Sequence, residues 1–275
     1  MSGAGGMSQF QDLGQRFFAA IVLAIVALAA LALGPVATAA FVAIAGAIMQ
    51  GEWARMARPE TDLSPLAAAA MWVITVVAVL VAVASPFWAI ALVALGAGVL
   101  VLLNDMAFGR ITWAGFVWIA IACISAVALR SVPQGFWILL WLILAVVAAD
   151  AGGYFAGRIF GGPKLWPRVS PKKTWSGFGG GVVLSVLVSL VMAVALGGHA
   201  AVFALLGAIV AAVALAGDLL ESAAKRHFGV KDSGTILPGH GGLLDRFDGL
   251  GAVLALVLIL ALAVPFAPML GVAGP

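Results

Sequence analysis

Asp218, Glu221, Ser222 and Lys225 are spaced three, one and three residues apart, so one helical face carries all four. Further on, Asp245, Arg246 and Asp248 open another apolar stretch, the two acids again three apart. Between these groups lie Lys231, Asp232, Pro238, Gly239, His240, Gly241 and Gly242. The run from Gly217 to Asp248 holds five of the eleven acidic and four of the fourteen basic residues of a 275-residue chain that is only 9% charged. An ionised side chain near a bilayer centre costs roughly 2.5–3.5 kcal/mol on insertion scales, so charges in so apolar a chain mark function. Carboxylates on two helix ends, Asp218 on one and Asp245 and Asp248 on the other, can converge on one pocket. Such oxygen ligands suit Mg²⁺, which binds through one or two carboxylates plus substrate phosphates and keeps several waters. Lys225, Arg226, Lys231 and Arg246 suit a polyanionic substrate. The combination favours phosphoryl or nucleotidyl transfer, where a protein mainly positions groups and neutralises charge. Zinc is disfavoured, because no second His or Cys stands near His240 to complete a tetrahedral site. His240 is read either as a substrate contact or as a residue that shapes the Pro-Gly-His-Gly-Gly loop.

A second polar segment lies upstream. Asp150, Tyr154 and Gly157 share a helical face, with Arg158 adjacent. Asp150 sits in or near the end of an apolar span and needs a partner. Either it points into a polar cavity as a metal or substrate ligand, or it forms a buried pair with Arg158 or a lysine. The loop from Gly161 to Ser176 carries Lys164, Arg168, Lys172 and Lys173 among Pro163, Pro167 and Pro171. This stiff cationic loop can meet anionic headgroups or a nucleotide triphosphate, or it can merely orient the chain. Gly177, Gly179, Gly180 and Gly181 open the next helix, where close helix packing is favoured over phosphate binding.

These motifs hang on a chain that is 64% hydrophobic, far above the roughly 45–50% of soluble domains. Nine apolar stretches are long enough to cross a bilayer: about 16–33, 36–51, 65–84, 86–104, 111–130, 134–157, 178–197, 200–224 and 249–270. The expected fold is all-α, a polytopic integral membrane protein of about nine transmembrane helices. It forms a single membrane domain over 1–275, with 1–140 mainly scaffold and 141–250 carrying the catalytic motifs. With eight further spans behind it, the first stretch reads as an uncleaved helix rather than a signal peptide. Trp53, Trp72, Trp88, Trp113, Trp137 and Trp166 fall near predicted span ends, as interfacial anchors do. Cys123, the single cysteine, reads as a small buried apolar residue. Asn104, Asp105 and Arg110 read as a helix-end turn.

If the nine helices alternate, thirteen of the fourteen Lys and Arg fall on one face and only Arg130 opposite. The thirteen are Arg16, Arg55, Arg58, Arg110, Arg158, Lys164, Arg168, Lys172, Lys173, Lys225, Arg226, Lys231 and Arg246. The positive-inside rule then predicts a multi-pass inner-membrane protein with N-terminus and polar site in the cytoplasm and C-terminus on the other side. The net charge of +3 is explained by this sorting and does not point to nucleic acid.

The run S-A-A-K-R-x4-K-D-x-G-x-x-L-P-G-H-G-G-x-x-D-R-x-D resembles the signature of the phosphatidate cytidylyltransferases, also called CDP-diacylglycerol synthases. The segment Asp150–Gly181, with its SPKKTW core, is similar to a second stretch of that family. The motifs cover about 150 to 250, and residues 1–140 agree only in hydrophobicity. The resemblance implies a Mg²⁺-dependent reaction of CTP with phosphatidic acid to CDP-diacylglycerol and pyrophosphate, in a homodimer with its site on the cytoplasmic side. It puts the metal-binding aspartates at Asp218 and Asp245, with Asp248 close by. Asp218, Asp245, Lys225, Arg246 and His240 are the expected catalytic set. Lys172, Lys173, Ser170, Thr174, Arg226, Lys231, Asp232, Ser222, Asp150 and Tyr154 are the expected substrate contacts. Two departures stand out: Ser176 where the family usually has Glu, and Ala224 in place of a larger apolar residue. Other readings are a CTP-dependent transferase acting on a different lipid phosphate or lipid alcohol, and an ion-coupled transporter. The transporter reading leaves the charged run from Gly217 to Asp248 unexplained.

Overall fold

Leu33, Leu66, Phe160 and Val194 expose most of their surface, whereas Gln50, Glu52, Thr75, Ser185 and Ser189 are fully buried. This inversion of the soluble-protein pattern is what a bilayer demands, with apolar groups facing lipid and polar groups bonding between helices. The computed structural model describes residues 21–57, 65–103, 110–236 and 241–263. Among them run nine helices: α1 Ile21–Leu33, α2 Pro35–Ala57, α3 Pro65–Ala82, α4 Pro86–Leu103, α5 Arg110–Ser131, α6 Gly135–Phe160, α7 Trp175–Leu196, α8 Ala200–His227 and α9 Leu244–Ala263. Of these, α2, α3, α5, α6, α7 and α8 are long and apolar enough to cross a membrane. His240, Pro238, Gly239, Arg16, Arg58, Asn104 and Asp105 lie outside the described residues.

The helices follow the apolar stretches but outrun them. α2 continues to Ala57 and α8 to His227, while α7 starts at Trp175 and α9 at Leu244. Apolarity marks what must face lipid or core, whereas backbone hydrogen bonding carries a helix on into polar sequence. Glu52 therefore sits on α2, and Asp245 and Asp248 sit in the first turns of α9, the helix end expected to carry them.

The all-α expectation needs one correction. β1 (Lys164–Trp166) and β2 (Ser170–Thr174) form an antiparallel hairpin between α6 and α7, pairing Lys164 with Thr174 and Trp166 with Ser170. Pro163, Pro167 and Pro171 exclude a helix here, and their fixed φ suits extended backbone and a turn. Trp53 is a second correction. It is 3% exposed, donates its indole N–H to the Thr112 carbonyl at 3.0 Å and meets Phe228 edge-on. Trp72, Trp88, Trp137 and Trp166 are exposed, as anchors should be. Cys123 is buried as expected.

Two cores share α5, α8 and α9. One gathers α2, α3, α4 and α5 with Ala224, Phe228, Leu243, Leu244 and Leu258, and the other gathers α1, α5, α6, α7 and α8 with Val253, Leu254 and Val257. Polar groups tie the helices where lipid offers no hydrophobic drive. Gln50 donates to Thr75 Oγ1 at 3.1 Å and to the Phe116 carbonyl at 3.0 Å, and Trp141 donates to Ser189 Oγ at 2.9 Å.

Glycines decide how closely α6 and α7 approach. A Cβ on Gly152 would lie 2.4 Å from the Gly180 carbonyl oxygen, and one on Gly180 would lie 2.3 Å from the Ala156 Cβ. A Cβ on Gly179 would meet nothing within 4 Å. Overpacking a tight contact costs about 1–3 kcal/mol, whereas Gly to Ala at an open helical position gains up to about 1 kcal/mol. Gly180→Val is thus expected to lower the apparent melting temperature in detergent, and Gly179→Ala to hold or raise it. Equal melting of the two variants would contradict the seam.

Candidate active site

The glycine seam brings the hairpin and α7 against α6. Thr174 Oγ1 accepts from the Gly177 N–H at 3.1 Å and so caps α7, ending β2 with Lys172 and Lys173 held at the helix entrance. From this corner opens a cavity of about 530 Å³. α6 contributes Asp150 and Tyr154, β2 contributes Lys172, Lys173 and Thr174, α8 contributes Asp218, and α9 contributes Asp245, Arg246 and Asp248. Residues far apart in sequence thus face one space.

Ion pairs tie the walls together. Lys173 Nζ donates to Asp218 Oδ2, joining hairpin to α8, and Ser222 Oγ donates to Asp218 Oδ1 at 3.3 Å. Lys225 Nζ donates to Glu221 Oε2 at 2.9 Å and to Asp245 Oδ1 at 2.6 Å, joining α8 to α9. Asp245 Oδ2 also accepts from the N–H groups of Gly242 at 2.8 Å and Ser233 at 3.0 Å. Asp245 lies ahead of the apolar part of α9. Burial alone would push its carboxyl up, but the Lys225 ammonium and the Gly242 and Ser233 N–H groups outweigh that and hold it below the ordinary aspartate range.

The remaining expected residues are placed differently. Ser222 and Lys225 stand behind the cavity wall and act on Asp218 and Asp245. Arg226, Lys231 and Asp232 are exposed and do not line the cavity, and Arg226 turns its guanidinium to the Val230 carbonyl at 3.2 Å. Ser170 pairs with Trp166 in the hairpin and also lies off the cavity. Of the two readings of Asp150, the structure favours the cavity. Arg158 instead donates to the Tyr154 hydroxyl at 2.8 Å, and Asp150 is in none of the ion pairs among the described residues. The Ser176 hydroxyl bonds the Gly161 carbonyl and stays off the cavity. Ala224 lines a separate apolar cavity of about 720 Å³ between α5, α8 and α9.

Two buried acids went unassigned from the sequence. Glu221, noted on the α8 face, is 2% exposed and takes half of the Lys225 bridge. Glu52 on α2 is fully buried and accepts from the Leu243 N–H at 2.9 Å and the Leu244 N–H at 2.8 Å. Its signal in the sequence is a lone acid one residue past the 36–51 apolar stretch, a position that does not by itself tell a loop charge from a buried one. Among the described residues, no three His, Cys, Asp or Glu side chains are grouped to hold a metal ion by themselves. The cavity carboxylates could contribute one or two oxygens to a hard cation that draws its other ligands from phosphate and water, as Mg²⁺ does. Asp150, Asp218, Asp245 and Asp248 all line this cavity.

Apolar helices enclosing a cavity where carboxylates, lysines and an arginine converge define an integral membrane protein with a site built for a multiply charged ligand. The sequence profile of the Cytidylyltransferase family matches residues 14–264, and the chain belongs to that family. It is 39% identical over 256 residues to a Brucella suis protein named phosphatidate cytidylyltransferase, covering 90% of this chain and 93% of that one. It is 47% identical over 133 residues to the Staphylococcus saprophyticus protein of the same name, covering 48% of this chain and 51% of that one. The Staphylococcus epidermidis counterpart is 49% identical over 129 residues, 46% of this chain and 50% of that one. The chain thus spans about half the length of the staphylococcal relatives it matches and nearly all of the Brucella one. The likeness reaches well past the 150–250 motifs into the first half, where hydrophobicity alone had seemed to agree.

Removing one partner of a buried ion pair costs about 3–5 kcal/mol, because the other charge is left unpaired. Lys225→Met is therefore expected to lower unfolding stability in detergent by that order, with part of the loss recovered when Asp245→Asn is added. An unaltered melting curve for Lys225→Met would refute the bridge.

Proposed function

We propose that this protein is a nucleotidyltransferase that moves the cytidylyl group of CTP onto phosphatidic acid, yielding CDP-diacylglycerol and pyrophosphate. One observation carries the reading: the carboxylates of α6, α8 and α9 and the lysines of the hairpin line a single cavity, in a chain whose near full-length relative bears that name. A phosphate oxygen of the lipid forms a bond to the α-phosphorus, and the bond to the β-phosphate oxygen breaks, its electron pair leaving with pyrophosphate. A phosphate monoester is already anionic, so no strong base is required, and charge stabilisation supplies most of the barrier reduction.

Lys172, Lys173 and Arg246 offset phosphate charge at the cavity wall. Asp218, Asp245 and Asp248 would hold Mg²⁺, with Asp150 lining the same cavity. When bound, Mg²⁺ supplies neutralisation of the triphosphate. Asp245 accepts from Lys225, Gly242 and Ser233, so its larger share in this reading is to fix α9. Tyr154 and Thr174 shape the cavity edge, and His240 either contacts substrate or shapes its loop. In the same reading nine helices alternate across the inner membrane, the cavity faces the cytoplasm, and the lipid enters sideways while CTP enters from water. The sorting of Lys and Arg to one face supports that orientation. Two copies form a homodimer, measurable as the mass of the detergent-solubilised particle.

The test is a product assay with labelled CTP and phosphatidate in detergent, with and without Mg²⁺ and against dCTP and ATP. A lipid-soluble cytidylyl product that requires Mg²⁺ is expected. Asp218→Asn and Asp248→Asn should each lower turnover per folded molecule at least about 100-fold, the scale of losing one group that stabilises transition-state charge. Full activity of both variants, or label transferred only to a lipid alcohol, would overturn the assignment.

A further inference from the structure

We propose that Glu52 is a positioning residue of this site: its carboxylate, reaching across from α2, sets the register in which α9 presents Asp245, Arg246 and Asp248. The proposal rests on the cytidylyltransferase reading for what that register serves. The first N–H groups of a helix have no intrahelical acceptor and are usually satisfied by a local cap. At α9 the acceptors are divided. Asp245 takes the Gly242 N–H, while Glu52 Oε1 takes Leu243 and Glu52 Oε2 takes Leu244. The Ser233 hydroxyl also bonds Glu52, at 3.4 Å, and the Ser233 N–H bonds Asp245. Glu52 and Asp245 therefore hold the same two segments, the turn at 242–244 through its N–H groups and Ser233 through its hydroxyl and its N–H, respectively. A negative charge at this end also complements the helix dipole.

The seat for Glu52 is built by absent side chains. A Cβ on Gly242 would lie 2.7 Å from Glu52 Oε2, and one on Gly234 would lie 2.7 Å from Oε1. Glu52 is fully buried and does not line the cavity, so it acts through α9 rather than on substrate. Leu244 carries one of its bonds and Asp245 is the next residue, so a slip at this cap moves the whole acidic turn. A displacement of about 1 Å at a reacting group can cost on the order of 100-fold in rate.

Glu52→Gln keeps the shape but sets an NH₂ against one of the two N–H donors. It is expected to lower kcat on the order of 100-fold, with KM for CTP nearly unchanged, and to speed hydrogen–deuterium exchange at the Leu243 and Leu244 amides. Gly242→Ala would set a Cβ 2.1 Å from the Ser233 hydroxyl and 2.7 Å from Glu52 Oε2, intruding on the same seat from the other side; it should give the same pair of changes, keeping the test open if Glu52→Gln folds poorly. Gln50→Leu is the control. Gln50 is equally buried on α2 but bonds Thr75 and Phe116, so its loss should lower stability with kcat per folded molecule intact. Wild-type kcat in Glu52→Gln, or a loss only in proportion to folded protein, would overturn the proposal, as would unaltered exchange at Leu243 and Leu244. Exchange is read without turnover. Should the wild-type protein make no cytidylyl lipid, the functional reading falls while the Glu52 cap is still judged.

Discussion

One ammonium group bridges two helix ends. Lys225 bonds Glu221 within α8 and Asp245 at the start of α9, with its side chain only 12% exposed. Three charges so deep are tolerable only together. A buried pair of this kind adds little net stability over apolar residues of similar size, but breaking it is costly, so it holds geometry more than it holds the fold. The cavity depends on that geometry. Asp218 lies two helical turns before Lys225 on α8, and Asp248 lies just past Asp245 on α9.

The second constraint is the approach of α6 to α7. Gly152, Gly180 and Gly181 leave no room for side chains between them, so the two helices meet backbone to backbone as small residues allow in membranes. This closeness brings the hairpin over the cavity and lets Lys173 reach Asp218. Cations from the hairpin and α9 thus face carboxylates from α6, α8 and α9 across one space. In the proposed reading, such an arrangement would bind a polyanion and neutralise its charge without a strong base.

The two cores are joined through α5, α8 and α9, and Glu52 extends that joint to hydrogen bonds. α2 belongs to the part of the chain that carries no motif, yet its one fully buried acid meets the first turn of the helix that holds Asp245 and Asp248. Scaffold and site share a contact.

Long apolar stretches located every described helix, because lipid contact forces a span to be continuously apolar. The charged runs located Asp150, Lys173, Asp218, Asp245, Arg246 and Asp248, because burying charge is too costly to be incidental. Local sequence could not say which cations face inward. Lys225 turned out to be a bridge and Arg226 an exposed neighbour, though they are adjacent, because helical phase and packing decide the direction of each. It could not show the hairpin, whose pairing needs two short segments to meet. Nor could it assign Glu52, whose partners lie about two hundred residues away. An acid at the end of an apolar stretch looks the same whether it meets water or the open end of another helix, and only the tertiary fold brings that helix to it.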